Sequence, residues 1–153
     1  MPVKQALQLV SFELNGQAFG APLSGIQEII RHPGVVKVPC SPDFIEGIIN
    51  LRGRVIPVID LKKRFGMESG ASSGASRIIV AEIAGAKAGL EVDSVSRVLR
   101  VSDDDFEKAP AIVSGISEHF ISGVVKSKGG MLIVLELEHI LSAEEIELLR
   151  NVE

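Results

Sequence analysis

The residues of this chain best able to do covalent or acid–base chemistry are three histidines, His32, His119 and His139, and one cysteine, Cys40. A nucleophilic site needs a serine, cysteine or threonine backed by a positioned histidine and a carboxylate. No such motif stands beside any of the four, and no pair of them has metal-ligand spacing. Cys40 lies in a proline-containing turn and is interpreted as a small turn residue. The sequence therefore predicts no catalytic residue and no metal site.

Two further stretches have the composition of ligand-binding segments. The acidic run Asp103-Asp104-Asp105 offers oxygen atoms, but a hard cation needs ligands that converge from several segments, and adjacent residues point in different directions. The glycine- and serine-rich residues 67–76 lack the Lys-Ser/Thr ending of a phosphate-binding loop. We interpret the first as a solvated acidic turn and the second as a surface loop, and we expect no cofactor.

Composition excludes several classes of protein. The chain has 153 residues, a net charge of −4, 4% aromatic residues and neither tryptophan nor tyrosine, so it lacks the basic, ring-rich surface of a nucleic-acid binder. No apolar run approaches the length of a membrane span, and the N-terminus lacks a signal-peptide pattern. A single cysteine suits a reducing compartment. We expect a cytoplasmic protein without membrane insertion or nucleic-acid binding.

One hairpin is encoded twice. Residues 45–51 and 55–61 read as two strands around the turn Arg52-Gly53-Arg54, where Gly53 can take a positive φ. Pro57 donates no ladder hydrogen bond, which predicts that the second strand lies at a sheet edge or turns this position away from a partner. The stretch from Phe44 to Leu61 matches residues 120–137 without a gap at a spacing of 76.

The remaining segments predict short strands and turns. Residues 8–31 match residues 77–100 at a spacing of 69, so the second copy carries seven additional residues before Phe120. Residue types predict strands at 7–14, 17–21 and 35–38, a helical turn passing into a strand over 23–31, and a helical turn at 62–65. Ser142 and Glu145 have capping-box spacing, which predicts a short C-terminal helix over residues 143–150.

Two copies of about five short strands each indicate a pair of small barrels, because closing a short sheet removes its exposed edges. A unit of this size buries only about 60% of its unfolded surface, so the two should pack on each other. Where the copies differ in charge, function becomes possible. Glu28 corresponds to Arg97, and Arg52 corresponds to Lys128, so only the first copy can form a Glu28–Arg52 ion pair.

The chain resembles the CheW family of chemotaxis coupling proteins. The resemblance rests on IQEII at 26–30, the proline-containing turn into FIEGIINLRGRVIPVIDL, and the weaker second copy FISGVV…MLIVLEL; it extends from about Leu7 to Leu149. It implies a mainly β fold of two intertwined five-stranded SH3-like barrels with a short C-terminal helix, in which the first strand crosses to the second barrel. We therefore expect one domain over 1–153, with a first unit at about 15–66, a loop at 67–76, a second unit at about 77–141 plus strand 7–14, and the helix at 143–150.

The resemblance also implies a function. Members of the family are non-enzymatic adaptors that bridge the helical tips of methyl-accepting chemotaxis receptors to the CheA histidine kinase. The family's glutamate and arginine positions fall on Glu28 and Arg52. We expect the receptor-binding residues to be Ile26, Glu28, Ile29, Gly47, Asn50, Leu51, Arg52 and Gly53, with Ile26, Ile29, Gly47 and Leu51 lining a groove between the barrels. We expect the kinase-binding residues to be Val36, Val38, Pro42 and Ile45.

We further expect a monomer when free, recruited to receptor arrays at the membrane. Three alternatives stay open at this point: a decoy that binds receptors without coupling the kinase, an adaptor of a pili-linked or other chemosensory pathway, and a small ligand-binding or hydrolytic double barrel.

Overall fold

A computed structural model describes residues 7–39, 42–68, 70, 73–108, 112–113, 116–127 and 130–150. Among these residues the strands are β1 Leu7–Leu14, β2 Gln17–Pro22, β3 Ile26–Arg31, β4 Ile45–Leu51, β5 Arg54–Asp60, β6 Arg77–Ile83, β7 Ala86–Val92, β8 Ser94–Val101, β9 Phe106–Glu107, β10 Ile112–Val113, β11 Ile116–Ser117, β12 Ile121–Ser127 and β13 Gly130–Leu135. The helices are α1 Leu61–Arg64 and α2 Ala143–Arg150, with 3₁₀ turns at Leu23–Gly25, Asp103–Asp105, Glu118–Phe120 and Leu137–His139.

The strands form two main sheets that exchange hairpins. One has the order β3-β6-β7-β5-β4 and the other the order β8-β1-β2-β13-β12-β9. The hairpin β1–β2 therefore belongs with the C-terminal half of the chain, and the hairpin β6–β7 belongs with the N-terminal half. The expectation of two intertwined, SH3-like barrels is confirmed. The expected unit boundaries are wrong in detail, because 17–22 and 77–92 each lie in the sheet opposite to the one assigned.

The internal repeat is reproduced in the pairing. β1 pairs antiparallel with β8, as β3 does with β6, and the parallel contacts Val58↔Gly89 and Val134↔Gly20 are equivalent under the two repeat spacings. Gly20 and Gly89 are required by close packing: a Cβ would lie 2.8 Å from Leu132 at the first and 2.7 Å from Ile78 at the second. The exchange is therefore built into both copies by the same residues.

Several local expectations are confirmed and three are corrected. The 3₁₀ turn before β3, α1 and α2 form where the sequence predicted them, and Ser142 and Glu145 make the reciprocal capping-box bonds. Residues 35–38 do not form a strand of a ladder but make a single bridge, Val36↔Ile48. Arg54 belongs to β5, so the hairpin turn is Arg52-Gly53 alone. Of the two alternatives predicted for Pro57, the sheet edge is wrong, because β5 lies between β4 and β7; the other is confirmed, because the β7 pairing begins only at Val58 and leaves Pro57 without a partner in that strand.

One hydrophobic core serves both barrels. Its largest cluster takes Phe12 and Phe19 from one sheet and Ile59 and Leu90 from the other, all fully buried. Full burial of each such side chain contributes about 1.5–3 kcal/mol. A chain of aromatic rings from Phe12 through Phe19 and Phe65 to Phe120, with centroids 5.2–6.2 Å apart, runs through this core. The predicted packing of the two units on each other is thus a shared interior.

The two equivalent hairpin turns allow a test of local strain. Asn15-Gly16 and Ala84-Gly85 both have positive φ angles, 51° and 80° in the first and 49° and 86° in the second. Asparagine tolerates this region and alanine does not, so Ala84→Asn should raise the free energy of unfolding by about 0.5–1 kcal/mol. Asn15→Ala should lower it by about 1 kcal/mol or more, since it also removes the hydrogen bond from Asn15 Nδ2 to the Glu68 carbonyl. Urea unfolding measures both, and a destabilised Ala84→Asn protein would contradict the assignment.

Candidate functional site

An exposed ion pair joins the two edge strands of the five-stranded sheet. Glu28 lies on β3 and Arg52 follows β4, and these strands are the opposite edges of that sheet. The Arg52 guanidinium binds the Glu28 carboxylate in a bidentate manner, with an Nη1–Oε1 distance of 3.1 Å and a second, shorter contact from Nη2 to Oε2. The hydrogen bond from Arg52 is the main reason that the pKa of Glu28 is lowered, and the same bond raises the pKa of Arg52. The pair predicted from the copy comparison is therefore formed.

Arg52 is held at the tip of the β4–β5 hairpin in an unusual backbone conformation. Its φ is 50°, in the left-handed region that glycine and asparagine prefer, and Gly53 follows with φ 84°. Asn50 shapes this turn, because its Oδ1 accepts a hydrogen bond of 2.9 Å from the Gly53 N–H. The Arg52 side chain is 70% exposed. The turn therefore holds a charged side chain at a solvent-facing position, and the strained backbone of Arg52 is a cost of that arrangement.

The other residues expected at the receptor surface divide into exposed and buried sets. Ile29 is 39% exposed on β3. Ile26 packs against the main core and Leu51 against a smaller cluster under the β4–β5 sheet, so both are partly buried. Gly47 is buried, and a Cβ there would collide with the carbonyl oxygen of Val36. Three of the four residues expected to line a groove between the barrels are therefore packed inward, and their positions are explained by the fold.

Val98 is a surface residue that the sequence reading missed. It lies on the edge strand β8 and is 52% exposed. Under the repeat spacing of 69 it is the equivalent of Ile29 on β3. Both copies therefore present an exposed β-branched residue at the same point of an edge strand. The repeat alignment carries this signal, because a β-branched residue stands at both equivalent positions, 29 and 98.

The residues expected to bind a kinase line an apolar groove beside the C-terminal helix. Its cavity of about 220 Å³ lies between α2 and the barrel built on the five-stranded sheet, which we call the first barrel. We name this cavity the α2 groove. Its principal walls are Val38, Pro39, Pro42 and Ile45 on the barrel side and Leu148 and Leu149 on the helix side. Val36, 67% exposed, lies in an adjoining hollow, and Ile48 lines both. The four expected residues thus border one continuous apolar surface.

Arg64 fixes α2 against both barrels. Its guanidinium makes a bidentate pair with Glu145 at 2.9 and 2.7 Å, and its Nε donates to the Ile140 carbonyl at 2.8 Å. The same guanidinium lies 4.6 Å from the ring centroid of Phe44 and 5.6 Å from that of Phe120. Burial raises the pKa of Glu145, but the hydrogen bonds from Ser142 and Arg64 outweigh burial and leave that pKa below its ordinary value. The helix wall of the groove is therefore held by a partly buried ion pair.

The histidines occupy structural positions. His32 Nδ1 accepts from the Gly34 N–H at 3.2 Å, so Nε2 carries the proton in the neutral ring and donates it to Glu91 at 2.8 Å. This contact ties the segment after β3 to β7. His119 and His139 stack face to face with centroids 4.8 Å apart. Cys40 lies outside the described residues.

The carboxylates nearest to a cation-binding arrangement lie beside His32. One oxygen from each of Glu46, Asp60 and Glu91 falls within 4.8 Å of the others. Burial raises the pKa of Glu91, while the hydrogen bond from His32 lowers it less strongly. Asp60 caps α1 by accepting from the N–H groups of Lys62 and Lys63. Among the described residues these three could together hold a metal ion, but Asp60 and Glu91 already have structural partners and Glu46 lies 3.8 Å from Lys63 Nζ.

The predicted acidic turn is a 3₁₀ turn in which the Asp105 carboxylate accepts hydrogen bonds from the backbone N–H and the hydroxyl of Ser102. No helix among the described residues is both long and apolar enough to cross a membrane.

Comparison with known proteins gives consistent matches over nearly the whole chain. A family profile described as "CheW-like domain" matches residues 8–145. The chain is 34% identical over 151 residues to the chemotaxis protein CheW of Treponema pallidum, which covers 96% of this chain and 89% of that protein. It is 34% identical over 140 residues to CheW of Rhizobium meliloti, covering 92% and 90%. The crystal structure of the scaffolding protein TtCheW from Thermoanaerobacter tengcongensis is similar with a TM-score of 0.85 and 38% identity, covering 92% of this chain and 96% of that one.

The Arg64–Glu145 pair gives a stability prediction with a defined pH dependence. Arg64→Met leaves Glu145 and the Ile140 carbonyl without their partner and should lower the free energy of unfolding by about 2–3 kcal/mol. Lys63→Met is the matched control, because the Lys63–Glu46 contact is 3.8 Å long and the lysine is 46% exposed; it should cost less than about 0.5 kcal/mol. Chemical denaturation measures both, and equal losses would contradict the role given to Arg64.

The pH dependence follows from the sign of the shift. The pKa of Glu145 is lowered in the fold, so its contribution is present above the ordinary value of 4.5 and is lost as the pH falls through the folded pKa. Glu145→Gln should therefore flatten the loss of stability in that acid range.

Proposed function

This chain belongs to the CheW-like domain family of chemotaxis scaffold proteins, and we propose that it couples the cytoplasmic tips of methyl-accepting receptors to a CheA-type histidine kinase. In this proposal the protein is non-enzymatic and works as a cytoplasmic monomer recruited to receptor arrays. It changes the activity of the kinase by holding it beside the receptor. The observation that carries the proposal is the Glu28–Arg52 pair, which joins the two edge strands of the first barrel, β3 and β4.

The pair supports receptor binding for two physical reasons. An exposed ion pair is screened by solvent and contributes little to folding, so stability does not account for an arginine held in the left-handed region. The pair also offers charged groups beside the exposed Ile29, a combination suited to a helical hairpin that packs one apolar face and sets its register by charge. Glu28 and Arg52 would then orient the receptor tip, and Ile29 would contact its apolar face.

The surface around the α2 groove supports the kinase-binding half of the proposal. Val36 and Val38 are exposed apolar side chains, and together with Pro42 and Ile45 they border a concave surface on the first barrel. Exposed apolar patches of this kind mark protein–protein contacts more often than chance. The two sets share no residue and meet only at the hollow that Val36 and Asn50 both line, so an adaptor could engage one partner on each side of it.

Charge reversal at Arg52 tests the receptor site. Arg52→Glu places a second carboxylate beside that of Glu28 and should weaken binding to receptor cytoplasmic fragments by about tenfold or more. The thermal midpoint should change by less than about 3 °C, because the pair is exposed. Arg54→Glu, an exposed change on the same hairpin, is the control and should leave receptor affinity within about twofold. A collapse of the Arg52→Glu fold would instead make Arg52 structural.

Val38→Asp tests the kinase surface. A carboxylate in an apolar wall loses hydration on docking, so kinase affinity should fall by about tenfold or more while receptor binding is unchanged. Isothermal titration of the variant with the kinase and with receptor fragments measures the two affinities separately. An equal loss for both partners would show that the surfaces are not distinct.

The whole function is tested by co-sedimentation of the protein with receptor cytoplasmic fragments and the CheA-type kinase of the same cell, with autophosphorylation followed in parallel. A ternary complex with altered kinase activity is the expected result. Receptor binding without kinase recruitment would favour the decoy, and binding to neither partner would overturn the proposal.

A further inference from the structure

The residues proposed for kinase binding all lie on the barrel side of the α2 groove. The helix side has no role in that proposal. Leu148 is 56% exposed at the groove wall, whereas its neighbour Leu149 is buried in the core at 4%. The helix packs on the main core through Leu149 and the partly buried Ile146, and Leu148 takes no part in that cluster. Within the part of the chain that the structure describes, Leu148 is therefore an apolar side chain that lines a concave apolar surface and stays more than half exposed.

The dimensions of the groove limit what it can accept. Its volume is about 220 Å³, and a cavity of about 150 Å³ is known to accept a benzene molecule. The α2 groove thus has room for one large aromatic side chain or two aliphatic ones, and not for a helix. Three prolines, Pro39, Pro42 and Pro57, line it and restrict the backbone at their own positions, and the Arg64–Glu145 pair holds the helix wall. A preformed wall of this kind lowers the ordering cost of binding.

The lip of the groove is acidic. Glu144 is exposed one helical turn before Leu148 on the same face, whereas Glu147 beside it is offset by Arg150, whose Nη1 lies 3.7 Å from its Oε2. Asp43 is exposed between two groove residues of the barrel side. Glu145 lines the groove but is neutralised by Arg64, and Lys37 is exposed in the barrel segment without lining the groove. Among the described residues, the acids Glu144 and Asp43 remain at the opening, and they favour a basic partner.

We propose that the α2 groove receives a bulky apolar side chain of the kinase, flanked by a lysine or arginine, and that Leu148 is a binding residue for it. This inference rests on the proposed function and extends the kinase surface from the first barrel onto the C-terminal helix. Leu148 covers the inserted side chain from one side and Val38 from the other. Glu144 pairs with the flanking base, and Arg64 is a positioning residue that acts through Glu145.

A second copy of this chain fits the opening less well. Its exposed acids would meet the same acidic lip, and the net charge of −4 opposes self-association at this surface. The kinase is the occupant that also explains why Val38, Pro42 and Ile45 lie in the same groove.

The decisive experiment compares Leu148→Asp with Met131→Asp in the full-length protein. Met131 is 53% exposed on β13, close to the exposure of Leu148, and does not line the groove. Titration with the full-length kinase should show a loss of at least about tenfold for Leu148→Asp and less than about twofold for Met131→Asp. Receptor affinity and the thermal midpoint should be unchanged in both. Glu144→Lys should weaken kinase binding and reduce its salt dependence.

The outcomes separate this inference from the function on which it rests. If wild-type protein binds the kinase and Leu148→Asp binds equally well, the inference is overturned and the coupling function stands. If wild-type protein binds no kinase, the coupling function and the kinase as occupant both fail. Light scattering that shows a dimer abolished by Leu148→Asp would reassign the groove to a second copy.

A second experiment uses two synthetic tripeptides to test the chemistry of the groove without the kinase. Acetyl-Lys-Trp-Lys-amide should shift the methyl resonances of Val38 and Leu148, and acetyl-Glu-Trp-Glu-amide should not. The absence of any difference between the two peptides would overturn the charge argument.

Discussion

Each sheet of this protein depends on a hairpin supplied by the other repeat. β1–β2 completes the sheet formed by the C-terminal half, and β6–β7 completes the sheet formed by the N-terminal half. Gly20 and Gly89 allow the parallel contacts at which the exchanged hairpins join, and Phe12, Phe19, Ile59 and Leu90 fill the interior between them. Neither half can bury its core alone, so the surfaces on both barrels are held in one cooperative unit.

The residues that we propose for partner binding lie at positions where the two repeats differ. The Glu28–Arg52 pair has no counterpart in the second copy, where Arg97 and Lys128 stand at these positions. The single bridge at Val36 replaces the short strand β9 that covers β12 in the other sheet, and this leaves Val36 exposed. The C-terminal helix then adds a wall beside the first barrel. A scaffold of two similar repeats thus carries both of the proposed binding surfaces on its first barrel.

The sequence predicted most of the elements because they depend on local chemistry: the repeated hairpin, the turn at Asn15-Gly16 and the capping box of α2. It did not predict which sheet each hairpin joins, because repeat spacing identifies equivalent residues without identifying their partners. Glu28 and Arg52 were found because the copies differ there in charge. Gly47 was assigned to a binding surface, whereas its burial under Val36 is a tertiary contact. Arg64 was not singled out, since its partner Glu145 lies 81 residues away.

The left-handed backbone at Arg52 places stability and recognition in opposition at one residue. Glycine or asparagine would relax the hairpin tip, so any selection for a more stable fold favours replacing Arg52, the residue proposed to orient the receptor tip. Thermostable variants obtained by screening for folding alone should therefore accumulate changes at this tip and lose coupling. The identity of residue 52 then distinguishes a scaffold maintained for signalling from one maintained only for its fold.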